Sequence, residues 1–156
     1  MKSISKSYGV PGLRLGVLAS GDTGTIARMK KDVAIWNINS FGEFYMQIEE
    51  KYKKDYEKAL VKIRNERARF EEELAKINGI RVIPSQANFV MVELDESIDP
   101  KELLKNILVK YNILIKELTN KTNGGRYLRL AVRNTEDNDV LLNALRCELK
   151  NLNGER

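Results

Sequence analysis

An α/β chain that closes with a small α+β domain is the architecture this sequence predicts, and three patterns predict it. Residues 80–152 read in the order ββαββα, the alternation of a mainly antiparallel sheet with helices on one face. A single long amphipathic stripe precedes them. Ahead of that stripe, the apolar stretch "LRLGVLAS" at 13–20 runs into a turn and a helix.

Taken in order, residues 13–20 have the look of a short buried strand. "GDTGTIARMKKD" then predicts a turn into a helix with Asp22 as N-cap, because a short carboxylate side chain can accept from the first free backbone N–H groups. "IWNINS" at 35–40 reads as an irregular connection. Tyr52, Tyr56, Leu60, Ile63, Phe70, Leu74 and Ile77 recur at spacings that lie on one helical stripe, broken only by Arg67. Asn78-Gly79 supplies a stop. "IRVIP" and "ANFVMVEL" predict two strands joined by a turn around Pro84-Ser85. Asp99-Pro100 with Glu102 is a helix start, and Asn112 a stop for the helix that reaches Tyr111. "ILIKEL" at 113–118 and "RYLRLAV" predict two further strands around the polar loop "NKTNGG". "TEDNDVLLNALRCELKNL" predicts a closing helix with Thr135 as its cap.

Composition narrows the chemistry. The 156 residues contain no histidine and one cysteine, so the chain cannot by itself build a Ser-His-Asp or Cys-His site, nor a zinc site of the usual kinds. Lone Cys147 fits a reducing cytosol, and its place in a Leu-rich helical stretch suggests an ordinary small packing residue. Net charge is +5, from 27 basic and 22 acidic residues. Those charges are interleaved, which favours solvated helix faces over a nucleic-acid footprint. No apolar run reaches the length of a membrane span. The expectation is a cytoplasmic protein without nucleic-acid or membrane partners and without a metal.

Two segments carry chemistry. In "SISKSYGVPGLRLG" (3–16), Lys6 sits among Ser3, Ser5 and Ser7, ahead of a turn rich in Gly and Pro. Arg14 follows on a stretch that is otherwise apolar, where an unpaired charge is costly and an anionic partner is wanted. A lysine and a phosphate-seeking arginine across a Gly/Pro turn suit a ligand with both an aldehyde and a phosphate, namely pyridoxal phosphate. In "GRYLRLAVRNTEDND", strand alternation puts Leu128, Leu130 and Val132 on one face and Tyr127, Arg129 and Ala131 on the other. Read alone, Arg129 is a solvent-facing basic residue.

The pattern S-x-S-K, an aromatic and Gly, then G-L-R-L-G resembles the cofactor-lysine segment of fold-type I pyridoxal-phosphate enzymes. Its likeness is to class I/II aminotransferases of the branch that includes histidinol-phosphate aminotransferase and threonine-phosphate decarboxylase. "YLRLAV", "WNINS" and "IPSQANFVMV" are similar to further segments of the family, in family order. The resemblance implies Lys6 as the catalytic lysine that joins the cofactor's aldehyde, with Ser3, Ser5 and Arg14 holding its phosphate. It implies Arg129 as the clamp on the substrate's α-carboxylate, with Arg126 and Arg133 as surface or interface charges.

On the same likeness, residues 1–40 are the C-terminal remnant of a cofactor-binding large domain, 41–77 linking helices and 78–156 the small C-terminal α+β domain. The family's remaining cofactor contacts lie upstream of the lysine, so the implied partners are the N-terminal half of the enzyme, an amino acid or 2-oxo acid substrate and, in the complete enzyme, a second identical subunit. The chain alone is expected to be inactive. Amino-group transfer is the implied reaction. Decarboxylation of the threonine-phosphate type and a non-catalytic interaction fragment are the alternatives.

Overall fold

The computed structural model describes residues 1–122 and 124–152, with the side chains of Lys6 and Ser7 outside the description. The chain divides into two compact units, Met1–Ala59 and Leu60–Arg156.

In the first unit, β1 (Lys2–Ser3) pairs antiparallel with β2 (Gly16–Val17), with Lys2 opposite Val17 and Ser3 opposite Gly16. Between them lie a single helical turn, α1 (Ile4–Ser7), and a 3-10 turn, Pro11–Leu13. The strand expected over 13–20 is therefore only two residues long. Pro11 favours the turn, and β1 is the only strand paired with β2 among the described residues, so Val17 and Leu18 stay exposed. Helix α2 (Thr23–Asp32) begins as expected: the Asp22 carboxylate accepts from the Thr25 amide at 3.0 Å and the Thr25 hydroxyl at 2.6 Å. Helix α3 (Ser40–Ile48) is capped by Asn39, whose side-chain oxygen accepts from the Gly42 amide at 2.9 Å. The unit leaves much apolar surface in solvent, including Ile35 at 92%, Trp36 at 90% and Phe44 at 60% exposure.

A 3-10 turn, Glu49–Tyr52, leads into α4 (Lys53–Ala75); the expected stripe overruns both ends of the helix, with Tyr52 in the turn and Ile77 beyond it, and Tyr52 and Ile63 stay exposed. Its last two turns bury Phe70 and Leu74 completely. It stops two residues before Ile77, and the chain reverses at Gly79 with φ 85°. A side chain there would also strike Ile98, 2.7 Å from an ideal Cβ, so glycine is required on both counts.

The second unit contains the ββαββα core. Strands β3 (Ile80–Ile83), β4 (Phe89–Leu94), β5 (Lys116–Glu117) and β6 (Tyr127–Ala131) form one antiparallel sheet in the order β3-β4-β6-β5. Helix α5 (Pro100–Tyr111) connects β4 to β5, and α6 (Thr135–Leu152) follows β6. Alternation is clean. Val90, Val92, Leu128 and Leu130 point into a core closed by Phe70 and Leu74 of α4, Leu103 and Ile107 of α5, and Leu142, Leu145 and Leu149 of α6. At roughly 2 kcal/mol for each fully buried aliphatic side chain, this cluster is the main source of the unit's stability.

Helix α5 starts and stops as predicted, with Asp99 accepting from the Lys101 amide at 3.0 Å and Asn112 left-handed at φ 57°. Two expectations are corrected. The strand over 113–118 shrinks to Lys116–Glu117, because the chain turns at once into a 3-10 segment, Thr119–Lys121. The cap of α6 is Asn134 rather than Thr135: its side-chain oxygen accepts from the Asp137 amide at 2.8 Å, while the Thr135 hydroxyl donates to Glu66 at 2.9 Å.

A buried carboxylate fastens α5 to α6. Glu148 is 1% exposed and accepts from Lys110 Nζ at 2.8 and 3.0 Å and from the Tyr111 hydroxyl at 3.2 Å. The Glu148→Ala variant is expected to lose about 2 kcal/mol, because the tyrosine loses its acceptor and a cavity opens. Urea unfolding of the chain measures it; an unchanged midpoint would show the bonds to be dispensable.

Candidate functional site

The lysine segment is organised by one backbone carbonyl. The Leu15 oxygen accepts from the Ile4 amide at 3.1 Å and from the Ser5 hydroxyl at 3.3 Å. Lys6 and Arg14 therefore lie one residue to either side of the same clasp. The α1 turn that carries Lys6 is closed by the Tyr8 amide on the Ile4 carbonyl at 3.0 Å.

Arg14 is not on a strand, as its sequence position suggested. It is left-handed, with φ 56° and ψ 38°, a conformation that costs an ordinary residue about 1 kcal/mol or more. Both neighbours hold it there. The Asn39 amide group donates to the Leu13 carbonyl at 3.0 Å, and Leu15 is buried with a methyl group 3.0 Å from the position a Cβ would take on Gly42. Asn39 thus starts α3 and fixes the turn before Arg14. The sequence reading placed it in a connecting segment without a role, although a polar residue that both caps a helix and precedes a small residue is a findable signal.

The donor set fits a phosphate in part. Arg14 is exposed and has no carboxylate partner among the described residues. Ser3 sits in β1, at the mouth of the same loop. Ser5 is buried and already donates its hydroxyl hydrogen to Leu15, so it would donate to a phosphate only by releasing that bond. Gly9 has φ 70°, which explains a glycine there by conformation. An added Cβ at Gly12 would meet nothing within 4 Å.

Arg129 belongs to the second unit, on the sheet face opposite the helices. Its guanidinium carbon lies 5.4 Å from the centre of the Phe89 ring, within cation–π range. Met91 and Lys116 are its directly opposite partners on β4 and β5, so their side chains share its face. Neither Arg129 nor Lys116 has a carboxylate partner among the described residues. Lys116 was missed in the sequence, because only the strand register makes it a neighbour of Arg129. The two flanking arginines are engaged elsewhere: Arg126 donates to the Ile98 carbonyl, and Arg133 pairs with Asp137 at 2.7 Å.

The end of β6 is held by a polar network. The Asn138 side chain accepts from the Arg133 amide at 3.0 Å and donates to the Arg133 carbonyl at 3.1 Å and to Glu66 at 2.8 Å. Arg69 donates to the same carboxylate at 2.7 Å and also reaches Asp139 at 2.8 Å. The Arg69 bond, helped by those from Asn138 and Thr135, lowers the Glu66 pKa from 4.5 to about 2 against the cost of burial. A depressed folded pKa gives stability that is complete above the ordinary value and is lost as pH falls through the folded one. The expected result is a decline in stability between about pH 4.5 and about pH 2 that the Glu66→Gln variant shows less steeply. Urea midpoints across that range test it, and parallel curves for the two proteins would contradict it.

These features define a class: the lysine-bearing loop and small α+β unit of a fold-type I pyridoxal-phosphate enzyme. The chain belongs to the class I and II aminotransferase family, whose model matches residues 1–145. Pyridoxal phosphate is the cofactor of that family. The chain is 36% identical over 147 residues to CMP-5'-(3-aminopropyl)phosphonate synthase of Streptomyces rubellomurinus, covering 93% of this chain and 23% of that protein. It is 35% identical over 153 residues to L-serine phosphate decarboxylase of Sulfurospirillum multivorans, covering 96% of this chain and 39% of the relative. Among solved structures, histidinol-phosphate aminotransferase from Clostridium acetobutylicum superposes with a TM-score of 0.86 at 32% identity, over 96% of this chain and 45% of that one. The chain therefore spans less than half the length of each of these proteins.

Proposed function

We propose that this chain supplies the cofactor lysine and the substrate-anion clamp of a pyridoxal-phosphate enzyme that moves an amino group between an amino acid and a 2-oxo acid. The observation that carries the reading is the Leu15 clasp, which sets Lys6 and Arg14, an arginine with no carboxylate partner among the described residues, on either side of one junction. Bound pyridoxal phosphate supplies an electron sink for charge that develops at the substrate's α-carbon. Arg14, with Ser3, holds the phosphate; Ser5 shapes the loop and joins them if it releases Leu15. Lys6 would hold the cofactor through its Nζ, and that amine, when free, would be the base that takes the α-proton and returns it to the substrate. Arg129 grips the α-carboxylate with paired N–H donors and so fixes which bond at the α-carbon faces the cofactor.

Decarboxylation of a phosphorylated amino acid is the second reading, favoured by Lys116 beside Arg129. Two cations across one strand pair, without a carboxylate partner among the described residues, suit a substrate with a second anionic group. The 35% identity to an L-serine phosphate decarboxylase supports the same reading. Incubating the complete enzyme, this chain together with its N-terminal half, with pyridoxal phosphate and O-phospho-L-serine separates the two. Formation of a 2-oxo acid in the presence of an amino acceptor supports transfer, whereas carbon dioxide release without it supports decarboxylation and overturns the first reading. Residues 1–40, 41–77 and 78–156 remain the proposed functional division: the C-terminal remnant of the cofactor-binding large domain, linking helices and the small α+β domain.

A further inference from the structure

Arg67 is the one residue that breaks the apolar stripe of α4, and neither cofactor nor substrate binding has used it. It is half-buried and has no carboxylate partner among the described residues. Its guanidinium donates to the Ala87 carbonyl at 3.1 Å. One turn further along the same helix, the Glu71 carboxylate accepts from the Ser85 amide at 2.9 Å. Helix α4 therefore grips the 84–88 turn by both polarities of its backbone, a carbonyl and an amide. The grip is passed on. The Ser85 hydroxyl accepts from the Ala87 amide at 3.0 Å and donates to the Phe89 carbonyl at 2.6 Å, while the Asn88 carbonyl accepts from the Val132 amide at 2.9 Å. Phe89 is the ring on which the Arg129 guanidinium rests.

We propose that Arg67 is a positioning residue for Arg129, acting through the 84–88 turn and the Phe89 ring. The inference rests on the reading of Arg129 as the substrate-anion clamp. A side chain with only a packing role at this point of the stripe needs no charge, and burying a guanidinium part-way is favourable only where its donors are used. Here they are used on a turn that, among the described residues, is held by the charged groups of α4 through Arg67 and Glu71. Loss of the Ala87 bond removes one of the two α4 contacts on the turn, loosens its Ala87–Asn88 side, lets Phe89 change its tilt and leaves Arg129 to sample several orientations. Only some of these present paired donors to a carboxylate.

The test uses the full chain and two variants. Arg67→Met keeps the unbranched stem that packs on the stripe and removes the donor; Arg67→Lys restores a cationic donor. The first readout is the ring-current shift of the Arg129 side-chain protons in NMR spectra, with the methyl signals of Val90, Val92, Leu128 and Leu130 as the control for an intact core. The second is the dissociation constant for O-phospho-L-serine, followed at the Arg129 Nε–H signal. In Arg67→Met the Arg129 shift is expected to move most of the way to its unstructured value, with affinity about fivefold weaker, and Arg67→Lys to recover at least half of both. An unchanged Arg129 shift in a folded Arg67→Met variant overturns the proposal. Should Arg67→Met fail to fold, Arg67→Ala, which also removes the donor, is read in its place, and an unchanged Arg129 shift in that variant overturns the proposal equally. Failure of the clamp reading looks different: O-phospho-L-serine leaves the Arg129 signal unmoved in the native chain, while the ring-current comparison still reports on Arg67.

Discussion

In the Lys6→Ala variant, borohydride reduction in the presence of pyridoxal phosphate leaves no pyridoxyl group on the 3–14 peptide, whereas the native chain carries the label at Lys6. The expectation follows from proximity. Any neutral lysine amine condenses with an aldehyde, and the chain offers many lysines in solvent. At low cofactor concentration, what selects one of them is an anchor that holds the aldehyde close. The Leu15 clasp sets Arg14 one residue from the junction on which Lys6 also stands. A phosphate on Arg14 raises the local aldehyde concentration for that lysine alone, and at limiting cofactor the label at Lys6 should exceed that at any other lysine by about tenfold or more. Peptide mapping by mass spectrometry measures the distribution. Scattered labelling, equal in native chain and variant, would contradict the assignment of Lys6.

The second large effect falls on Arg129. Replacement by glutamine keeps the stem and some hydrogen-bonding capacity but removes the charge and the forked geometry. Charge-assisted bidentate bonds are worth about 3 kcal/mol when lost together. The Arg129→Gln variant should therefore bind O-phospho-L-serine about 100-fold more weakly than the native chain. Arg129→Lys recovers only part of this, since an ammonium is a point charge without the planar fork. Isothermal titration measures both. Equal affinity in the native and glutamine proteins would remove Arg129 from the anion site and leave Lys116 as the principal cation on that face.

The elements that were legible in the sequence share one property: their signals are local or periodic. The Asp22 and Asp99 caps, the Asn112 stop and the in–out alternation of Tyr127–Ala131 each depend on the chain within a few residues. The α4 stripe is longer but equally regular, and even its one exception, Arg67, was visible as an exception. Elements that depend on distant partners were misread. Residues 13–20 are apolar enough for a strand, yet a strand is defined by its neighbours, and here the neighbour is two residues long. Thr135 and Asn134 are both good caps by type; the choice fell to Asn134 because Glu66, far away in sequence, engages the threonine. For the site, Lys6, Arg14 and Arg129 stood out as charges in apolar or Gly-rich surroundings. Lys116 and Asn39 did not, because their significance lies in strand register and in a hydrogen bond across 26 residues. The left-handed Arg14 was hidden for the same reason, being held by contacts on both sides rather than by its own preference.

Trp36 is the chain's single tryptophan, and it stands 90% exposed in the connection between α2 and α3. Its indole emission is therefore that of a fully hydrated ring, with no second tryptophan to dilute the signal. Anything that dries the surroundings of Trp36 shifts that emission to the blue and shields it from iodide quenching. The first unit thus carries a native fluorophore that reports on its own apolar surface without labelling or mutation, independently of the visible absorbance of the cofactor.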